Sequence, residues 1–515
     1  MTFEKALQCD LRMDSDLIKR GICMILIENN SNCNNSVAFY YKEDPDLKEL
    51  PAALQQAFTG EFLESFLYLK ENGVILLLGL GREIKDRIQI KELAAKAVKE
   101  MKHHNINRFS FPVLKITEVF GTDSIRDITE GLMLGTYVQR QFPEKVREAC
   151  EIILTAIREG ETAVVEALVR ETVPLIEGVI FARDMVNLPG NKLRPEDFAA
   201  EIKGFLKNTK VSVEELNLEA LKQMGMGGLV SVGESSEYPP VFLILRYFND
   251  PDSKEITALV GKGVTCDTGG YCLKAADSML GIKGDMAGGA AVAGAIYALA
   301  KNQSKTNVIG FIPVCENRIS PGSLLPGDVI TSYSGKTIEI VNTDAEGRLI
   351  LADTIAYAAA KENVTRVLDI ATLTGAVVNM LGFSVAGVVT DSQEFFEAFR
   401  TAYRISGERY WRLPVFDEHD KMIQSKIADI KNMGEKYCGT ITAGLFIKAF
   451  ANGLPWLHID IAGTAWVDTP IFEYQSKGAT GAGVTSIYHL CSQKTAEEPL
   501  EGDLKNGLLY SGSLR

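Results

Sequence analysis

Short apolar runs that alternate with helical patterns fill the chain from residue 187 onward, and they narrow the possible folds more than any other feature. The runs are rich in β-branched residues and almost continuously hydrophobic, which is typical of strands buried on both faces. This region therefore predicts a mostly parallel central sheet covered by helices. Its expected strands are FLILRYF (242–248), ITALVGKG (256–263), TNVIGFIPV (306–314), TIEIVN (337–342), TRVLDIATL (365–373) and WLHIDIAG (456–463).

The chain has 515 residues, which is too long for one ordinary domain. Short apolar runs such as 73–81 and helical patterns such as 88–102 also alternate near the N-terminus. We therefore expect an α/β protein of two domains, a smaller N-terminal one and a larger C-terminal one. The predicted division is an N-terminal α/β (macro-like) domain at 1–160, a helical connector at 161–186 and the larger domain at 187–515, which carries the charged loops described below.

The segment before the larger domain has an almost wholly helical pattern. It extends from about 144 to 186, and Pro174 within it predicts a break or kink. Pro195 lies just after a loop and predicts the start of a new helix.

Composition argues against several classes of function. The formal net charge is −13 without a long Lys/Arg run, which disfavours a nucleic-acid or anionic-membrane binder. No apolar run reaches the ~18 residues that a membrane span needs, and the N-terminus lacks the apolar segment of a signal peptide. The nine cysteines are dispersed without CxxC spacing, as expected for reduced thiols. We therefore expect a cytoplasmic protein without a membrane span.

Charged side chains concentrate in two loops that follow predicted strands. The stretch VNTDAEGRLILAD (341–353) places Asp344, Glu346 and Arg348 two residues apart, so in an extended segment they would point to one side. Ligands of parallel α/β sheets collect beyond the carboxyl ends of the strands, so we expect both loops to face one site. The second loop, glycine-rich 260–291, contributes Lys262, Asp267, Lys274 and Asp285.

Carboxylates in one small volume repel one another unless cations lie between them. Burying like charges without compensation is costly, and a metal cluster is the simplest reconciliation. Carboxylate-rich ligation suits Mn²⁺, Mg²⁺ or Zn²⁺, and several bridging carboxylates favour two ions over one. The sequence therefore predicts a metal centre formed by Asp267, Asp285, Asp344 and Glu346.

Each of these residues also has an ordinary structural interpretation. Asp285 opens an Ala- and Gly-rich helix and could serve only as its N-cap. Lys262 and Lys274 could be solvated surface lysines, and Arg348 could only pair with Glu346. These interpretations explain the residues singly but leave their clustering unexplained.

Other candidate motifs lack residues that their functions require. GLG at 79–81 lacks the third glycine of a dinucleotide fingerprint, and SGKT at 334–337 lacks the glycine that opens a P-loop. No HExxH motif occurs, and His458 is expected in a strand beneath the site. Cys266 and Cys272 flank one of the acids but are expected to be small structural thiols.

The two charged loops resemble one known family. GKGVTCDTGG (261–270) and KGDMAGGAA (283–291), combined with NTDAEGRL (342–349), are similar to the leucyl aminopeptidase (cytosol aminopeptidase) family of two-metal aminopeptidases. The sequence NTDAEGRL is nearly specific to that family. The similarity covers about 180–490, whereas the N-terminal region agrees only in its α/β character and its LGLG turn.

The resemblance implies a specific chemistry. Two divalent ions, Mn²⁺ or Zn²⁺, are bridged by Asp267 and Glu346, and Lys274 and Arg348 are the catalytic residues. Lys274 stabilises the developing oxyanion, and Arg348 holds a bicarbonate that shuttles the proton. Substrates are peptides with a free N-terminus, and the assembly is a homohexamer. The implied metal ligands are Lys262, Asp267, Asp285, Asp344 and Glu346.

The substrate pocket implied by the resemblance comprises Ile282, Asn342, Thr372, Leu373 and Gly375. Ile282 stands where the family commonly has methionine, so the preferred N-terminal residue is left open within a broad apolar preference. Other departures remove no ligand and no catalytic residue. They are Cys266, Thr268, Ala275 and Ala482.

Three alternatives to a broad aminopeptidase are a narrow dipeptidase such as a Cys-Gly hydrolase, a DNA-binding or regulatory role, and a relative that has lost catalysis. The acidic net charge disfavours the second. The intact set of ligands and catalytic residues disfavours the third.

Overall fold

The computed structural model describes residues 23–29, 31–143, 145 and 148–492, in which one long helix joins two α/β units. In the N-terminal unit six strands form a sheet of order β1-β6-β5-β2-β4-β3, and only the β3–β4 pair is antiparallel. The strands are β1 (Met24–Ile27), β2 (Ser36–Tyr40), β3 (Ser65–Lys70), β4 (Gly73–Gly79), β5 (Arg108–Pro112) and β6 (Glu151–Thr155). Its helices are α1 (Ala52–Ala57), α2 (Arg87–His103), α3 (Leu114–Phe120) and α4 (Ile125–Gly135).

The larger unit contains a nine-stranded sheet of order β16-β15-β18-β14-β9-β11-β8-β7, with β10 paired to β11. Its central pairings are parallel, and β7, β8 and the β15–β18 pair add antiparallel edges. The strands are β7 (Ser212–Leu216), β8 (Val241–Phe248), β9 (Thr257–Gly261), β10 (Gly263–Asp267), β11 (Asn307–Asn317), β14 (Arg366–Ala371), β15 (Ala386–Val389), β16 (Tyr410–Arg412) and β18 (Trp456–Asp460).

Two small sheets and eleven helices complete the described part of the chain. The small sheets consist of β12 (Val329–Thr331), β13 (Thr337–Glu339) and β17 (Ile430–Lys431), and of β19 (Trp466–Val467) and β20 (Gly478–Ala479). The helices are α5 (Thr162–Asn187), α6 (Pro195–Leu206), α7 (Leu218–Met224), α8 (Gly227–Gly233), α9 (Ala287–Lys301), α10 (Glu346–Lys361), α11 (Gly375–Leu381), α12 (Gln393–Ser406), α13 (Asp417–Lys421), α14 (Gly439–Lys448) and α15 (Val484–Ser492).

Helices cover both faces of the large sheet, as the apolar runs predicted. Along β9, Leu259 packs into the core shared with α5, α9 and α15, whereas Ala258 and Val260 pack into the core shared with α8, α10 and α14. Successive side chains of a strand point to opposite faces, so a strand between two helical layers is apolar throughout. The predicted fold class, α/β with a mostly parallel central sheet under helices, is confirmed.

The helical link is shorter than its sequence pattern suggested, and it continues through Pro174. The predicted helix from 144 is wrong at its start, because 151–155 forms β6 between β1 and β5. A run of three apolar residues, 152–154, fits a buried strand as well as a helix. The predicted break at Pro174 is also absent, since α5 continues through it with Leu175 and Ile176 buried in the core.

Two further expectations have mixed outcomes. Pro195 begins α6, as predicted. TIEIVN contributes β13 to the small three-stranded sheet, so its assignment to the central sheet is wrong.

The domain division at 160 and 186 stays a prediction, and residues 1–22 and 493–515 of those ranges lie outside the described residues. None of the described helices has the length and apolarity of a membrane span.

A buried carboxylate ties α10 to two neighbouring segments. Asp353 is fully buried, and its Oδ2 accepts hydrogen bonds from the backbone N–H groups of Gly228 at 2.7 Å and Leu229 at 3.0 Å. Its Oδ1 accepts a third from the N–H of Tyr333 at 2.7 Å. One side chain therefore provides the hydrogen-bond acceptor for backbone N–H groups at the start of α8 and in the turn after β12.

We expect Asp353→Ala to lower the free energy of unfolding by about 3 kcal/mol, because it leaves three buried N–H donors without an acceptor. Denaturant titration measures the effect. The matched control is Asp252→Ala, whose side chain is exposed and paired only with Lys305, and which we expect to change stability by less than ~0.5 kcal/mol. Equal losses in both variants would contradict the assigned role of Asp353.

Candidate metal centre

The seven predicted ligand and catalytic residues meet at one edge of the large sheet, as the strand-end argument predicted. Two short connections supply most of them, the one around β10 and the one between β13 and α10. The positions are Lys262 between β9 and β10, Asp267 at the end of β10, Lys274 in the loop beyond it, Asp285 before α9, Asp344 before α10, and Glu346 and Arg348 in the first turn of α10.

Three carboxylates form the centre of this cluster. Asp267, Asp344 and Glu346 each place one oxygen within 4.8 Å of the oxygens of the other two. Asp267 and Glu346 are buried, and Asp344 is half-buried. Such an arrangement is electrostatically unfavourable unless positive charge or hydrogen-bond donors compensate it.

Lys262 supplies part of that positive charge. Its side chain is 3% exposed, and its Nζ lies 2.6 Å from Asp285 Oδ2 and 2.9 Å from Glu346 Oε1. The Nζ also donates to the carbonyl of Thr372 at 3.0 Å. Burial alone would lower the pKa of Lys262, but the surrounding carboxylates outweigh it and raise the pKa above its ordinary value.

A glycine in the NTDAEGRL motif makes room for this lysine. A Cβ at Gly347 would lie 2.5 Å from Lys262 Cε and 2.7 Å from its Nζ. Any side chain at position 347 would therefore displace Lys262 from the carboxylates. The first turn of α10 thus needs Glu346 for its charge and Gly347 for its lack of a side chain.

Lys274 supplies the second ammonium group. Its Nζ lies 2.8 Å from Asp267 Oδ2 and also pairs with Asp344 Oδ1. Burial opposes its charge, but Asp267, Glu346 and Asp344 together raise the pKa of Lys274. A cation therefore faces the carboxylate cluster from the loop after β10.

The shifted carboxyl pKa values show how crowded the cluster is. Burial, reinforced by Asp267 and Glu346, raises the pKa of Asp285 to about 8. Burial and the negative charge of Asp267 raise the pKa of Asp344 to about 6. Burial and Glu346 likewise raise the pKa of Asp267. Each shift reflects negative charge held in little water, which additional cations would relieve.

Arg348 lies beside the cluster without joining it. Its side chain is 7% exposed, Nη1 donates to the carbonyl of Asn432 at 2.8 Å, and Nε has no hydrogen-bond partner. No carboxylate of the described residues lies within 4.0 Å of its guanidinium, so the alternative of a pair with Glu346 is excluded. Burial lowers the pKa of Arg348 to about 10. A buried guanidinium without a counter-ion is suited to binding a small anion.

The other ordinary interpretations also fail. The Asp285 side chain does not cap α9, because its Oδ1 accepts from the Thr372 hydroxyl at 2.7 Å and its Oδ2 faces Lys262. Lys262 and Lys274 are not solvated lysines but members of ion pairs. The extended-segment argument for 344, 346 and 348 was wrong in its geometry, since Glu346 already begins α10.

The sequence reasoning missed Asn317, which lies at the end of β11 and is buried. Its Nδ2 lies 2.9 Å from Asp267 Oδ1 and 3.4 Å from Glu346 Oε2, and it donates to the carbonyl of Thr343 at 3.0 Å. This neutral amide therefore connects both charged loops. Its position at the end of an expected strand beside the site was the signal that could have identified it.

A second asparagine holds the loop before α10. Asn432 is fully buried, its Oδ1 accepts from the N–H of Val341 at 2.8 Å, and its Nδ2 donates to the carbonyl of Asn342 at 2.7 Å. Its own carbonyl binds Arg348. No sequence signal marked Asn432, because it is some ninety residues away from the loop that it fixes.

The five predicted pocket residues lie around the cluster with different contacts. Thr372 binds Asp285 and Lys262, so it positions charged residues. Asn342 accepts from the N–H of Asp344 at 2.8 Å, and the N–H of Leu373 donates to Asp460 at 3.1 Å. Ile282 is partly buried in the 3₁₀ turn Met279–Gly284, and Gly375 begins α11. Their role in substrate binding stays a prediction.

The histidine and the cysteines near the centre have structural surroundings. His458 lies in β18, as expected, and its Nδ1 is 2.5 Å from Asp369 Oδ1, while Trp456 donates to the other oxygen of Asp369. Cys266 is buried within β10, and burial raises the pKa of its thiol. A thiol held protonated is a poor nucleophile, so the structural interpretation holds.

The donor set fits divalent cations. Three carboxylates converge within 4.8 Å, and a fourth, Asp285, is tied to the same lysine as Glu346. Hard oxygen donors with one nitrogen suit Mn²⁺ or Zn²⁺. The lysine amine becomes a ligand only when deprotonated, which neighbouring metal charge favours.

Comparisons with known proteins agree on one family. A sequence profile described as the cytosol aminopeptidase family, catalytic domain, matches residues 180–488. A protein of Clostridium perfringens described as "Probable cytosol aminopeptidase" is 42% identical over 427 residues, which are 82% of this chain and 86% of that protein. A protein of Treponema denticola with the same description is 39% identical over 448 residues, 85% of this chain and 93% of its own length.

Solved structures agree with the sequence matches. The bottromycin maturation enzyme BotP superposes with a TM-score of 0.79 at 28% identity, covering 89% of this chain and 99% of that one. Its complex with Mn superposes with a TM-score of 0.80 at the same identity and coverage. The chain therefore belongs to the cytosol aminopeptidase family and is a metal-dependent aminopeptidase.

Proposed function

We propose that the candidate metal centre holds two divalent cations, Mn²⁺ or Zn²⁺, and that it hydrolyses the bond after the N-terminal residue of a peptide. The convergence of three carboxylate oxygens within 4.8 Å is the observation that carries this proposal. The Mn complex of BotP supports manganese as one suitable ion. The residues that would hold the cations are Lys262, Asp267, Asp285, Asp344 and Glu346.

Bound cations would acidify a water molecule and polarise the scissile carbonyl, which is the chemistry that two-metal hydrolases use. The protein side chains supply orientation and charge around that chemistry. Lys274 keeps its proton through its contacts with Asp267 and Asp344, so it can stabilise negative charge that develops on the substrate oxygen.

Proton transfer needs a base, and no histidine lies among the residues of the cluster. Arg348 has a buried guanidinium with a free Nε, which suits it to hold a small anion such as bicarbonate beside the site. An oxyanion held there would accept and return a proton without a protein base. The assignment of Lys274 and Arg348 as catalytic residues is part of the proposal.

Substrate range, assembly and location extend the proposal. Ile282 leaves the preferred N-terminal residue open within a broad apolar preference, and relative rates on leucyl, alanyl and methionyl amides and on Cys-Gly would measure that preference. The family resemblance suggests a homohexamer, and exposed apolar side chains in the loop between β10 and α9, Leu280 at 87% exposure and Leu273, support self-association. Light scattering would test the assembly. The description of the relatives as cytosol aminopeptidases supports a cytoplasmic location.

The remaining alternatives gain no support. The curated relatives named above share one description, aminopeptidase, and the acidic net charge disfavours binding to DNA. A preference for Cys-Gly would be a matter of degree within the same chemistry. The rate comparison on matched substrates would reveal it.

We expect metal-stripped enzyme to be inactive on an aminoacyl amide and to regain activity with Mn²⁺ or Zn²⁺. Glu346→Ala should lower kcat by more than about 10⁴-fold at saturating metal, because it removes one carboxylate that would hold the cations and one of the two carboxylates that pair with Lys262. The matched control is Glu362→Ala at the C-cap of the same helix, where Glu362 pairs with Arg246 away from the centre. Near-normal turnover in Glu346→Ala would refute the metal assignment.

Asn317→Ala should weaken Mn²⁺ binding about 10- to 100-fold, because the amide that holds Asp267 and Glu346 is lost. Competition with a chromophoric chelator measures the dissociation constant independently of activity. Asn307→Ala provides the control, since Asn307 is buried at the opposite end of the same strand and bonds only to backbone near 250. Unchanged metal affinity in Asn317→Ala would show that the amide does not position the ligands.

Arg348→Met should lower kcat about 10²- to 10⁴-fold while leaving metal affinity unchanged, because it removes the cation that binds the proton-carrying anion. Added bicarbonate should raise kcat of bicarbonate-depleted wild-type enzyme and have no effect on Arg348→Met. Arg348→Lys keeps a charge without the planar fork and should retain partial activity. A bicarbonate response that survives in Arg348→Met would disprove the role of Arg348.

A further inference from the structure

A third connection reaches the metal centre without adding a charge to it. It is the turn of residues 372–374, between β14 and α11, which we call the 372–374 turn. The hydroxyl of Thr372 donates to Asp285 Oδ1 at 2.7 Å, and the carbonyl of Thr372 accepts from Lys262 Nζ at 3.0 Å. One uncharged residue therefore contacts two of the side chains that would hold the cations.

A buried carboxylate lies behind this turn. Asp460 is the last residue of β18, which pairs with β14 so that Asp460 lies beside Ala371. Asp460 is 0% exposed, and its Oδ1 accepts from the N–H of Leu373 at 3.1 Å and from the N–H of Thr374 at 3.4 Å. Its Oδ2 accepts from the hydroxyl of Thr374 at 2.6 Å. Both residues that follow Thr372 are thus bound to one side chain.

Asp460 acts as an acceptor and not as the partner of a cation. The N–H of Ala462 is a further donor to its Oδ1, at 3.2 Å. Among the described residues no lysine, arginine or histidine forms an ion pair with Asp460, so hydrogen bonds alone compensate its buried charge. A buried polar group whose hydrogen bonds are all satisfied holds its surroundings in one arrangement. The carboxylate therefore fixes the backbone of the 372–374 turn.

The geometry of the peptide group carries this constraint to the metal centre. The N–H of Leu373 and the carbonyl of Thr372 belong to the same peptide group, which is trans. A trans peptide is planar, and its N–H and C=O point in opposite directions. Because Asp460 binds the N–H on one side, the carbonyl is aimed to the other side, where Lys262 Nζ lies.

Both contacts of Thr372 orient a side chain that would hold a cation. A lysine amine that ligates a cation keeps two N–H groups and one lone pair, and a carbonyl that accepts from one N–H fixes the direction of the lone pair. The hydroxyl of Thr372 occupies Asp285 Oδ1, which leaves Oδ2 for a cation. Groups that orient metal ligands in this way influence metal affinity although they do not touch the metal.

We propose that Asp460 is a positioning residue of the metal centre, which fixes the 372–374 turn and through Thr372 orients Lys262 and Asp285 for cation binding. This inference rests on the proposed two-metal function. It adds to that function a residue whose described contacts include none of the proposed ligands.

Mn²⁺ dissociation constants, measured by competition with a chromophoric chelator, test the proposal without recourse to activity. Asp460→Ala removes the acceptor and should weaken Mn²⁺ binding about 10- to 100-fold. Asp460→Asn removes the charge but keeps an oxygen that can accept from the N–H of Leu373, so it should bind Mn²⁺ within about threefold of the wild type.

Asp353→Ala is the matched control. Asp353 is also a buried carboxylate that accepts backbone N–H groups, but its partners Gly228, Leu229 and Tyr333 contact none of the proposed ligands. The variant should lose stability and keep the Mn²⁺ affinity of the wild type. It therefore separates a loss of stability from a loss of ligand orientation.

The outcomes that would overturn the positioning role are distinct. Equal weakening in Asp460→Ala and Asp460→Asn would assign the effect to the lost charge, and equal weakening in Asp353→Ala would assign it to lost stability. Wild-type affinity in Asp460→Ala would show that the turn does not depend on Asp460. Failure of the two-metal proposal itself gives a different result, because the wild-type enzyme would then not bind Mn²⁺.

Circular dichroism of each variant guards against misfolding. If Asp460→Ala fails to fold, Thr374→Val and Thr374→Ser carry the test. Thr374→Val removes the hydroxyl that holds Asp460 Oδ2 and should weaken Mn²⁺ binding about three- to tenfold, whereas Thr374→Ser keeps a hydroxyl and should bind Mn²⁺ like the wild type. Equal affinities in these two variants would overturn the proposal.

Discussion

Repulsion among carboxylates is the constraint on which the structure around the metal centre depends. Asp267, Asp344 and Glu346 approach within 4.8 Å, and two ammonium groups and one amide surround them. The two ammonium groups flank β10, the amide ends β11, and Glu346 begins α10, so the cluster forms only when β10, β11 and α10 are all in place. The site is thus a product of the whole sheet edge and not of one loop.

Close backbone approach allows that density of charge. Gly347 admits Lys262, and a Cβ at Gly269, where φ is +87°, would lie 2.8 Å from Asp344 Oδ1. Larger residues at either position would push a charged group away from its partner, and the remaining charges would then be buried without compensation. The glycines of the two charged motifs therefore have an electrostatic consequence as well as a conformational one.

The sequence revealed the charged residues because such residue types are unusual at strand ends. It revealed the buried strands because their hydrophobicity is continuous. It did not reveal β6, since three apolar residues fit a strand or a helix equally and only pairing with β1 and β5 decides. It also did not reveal Asn317 and Asn432, because an asparagine carries no charge signal and its partners are distant in sequence. Long-range pairing is what composition and periodicity cannot encode.

The long helix α5 connects the chemistry of the centre to the rest of the molecule. At its middle, Gly178 packs so closely against Gly294 of α9 that a Cβ at Gly178 would lie 2.4 Å from the carbonyl oxygen of Gly294. This contact sets the distance between α5 and α9, and hence the position of Asp285, which lies just before α9. At its end, the carbonyl of Asn187 accepts from Lys283 at 2.9 Å, beside Ile282. Arg183 and Asn187 are four residues apart on one face of the helix. A shift of α5 would therefore be felt at the segment of Tyr474 and Thr480, whose carbonyls Arg183 binds, and at the turn that holds Ile282.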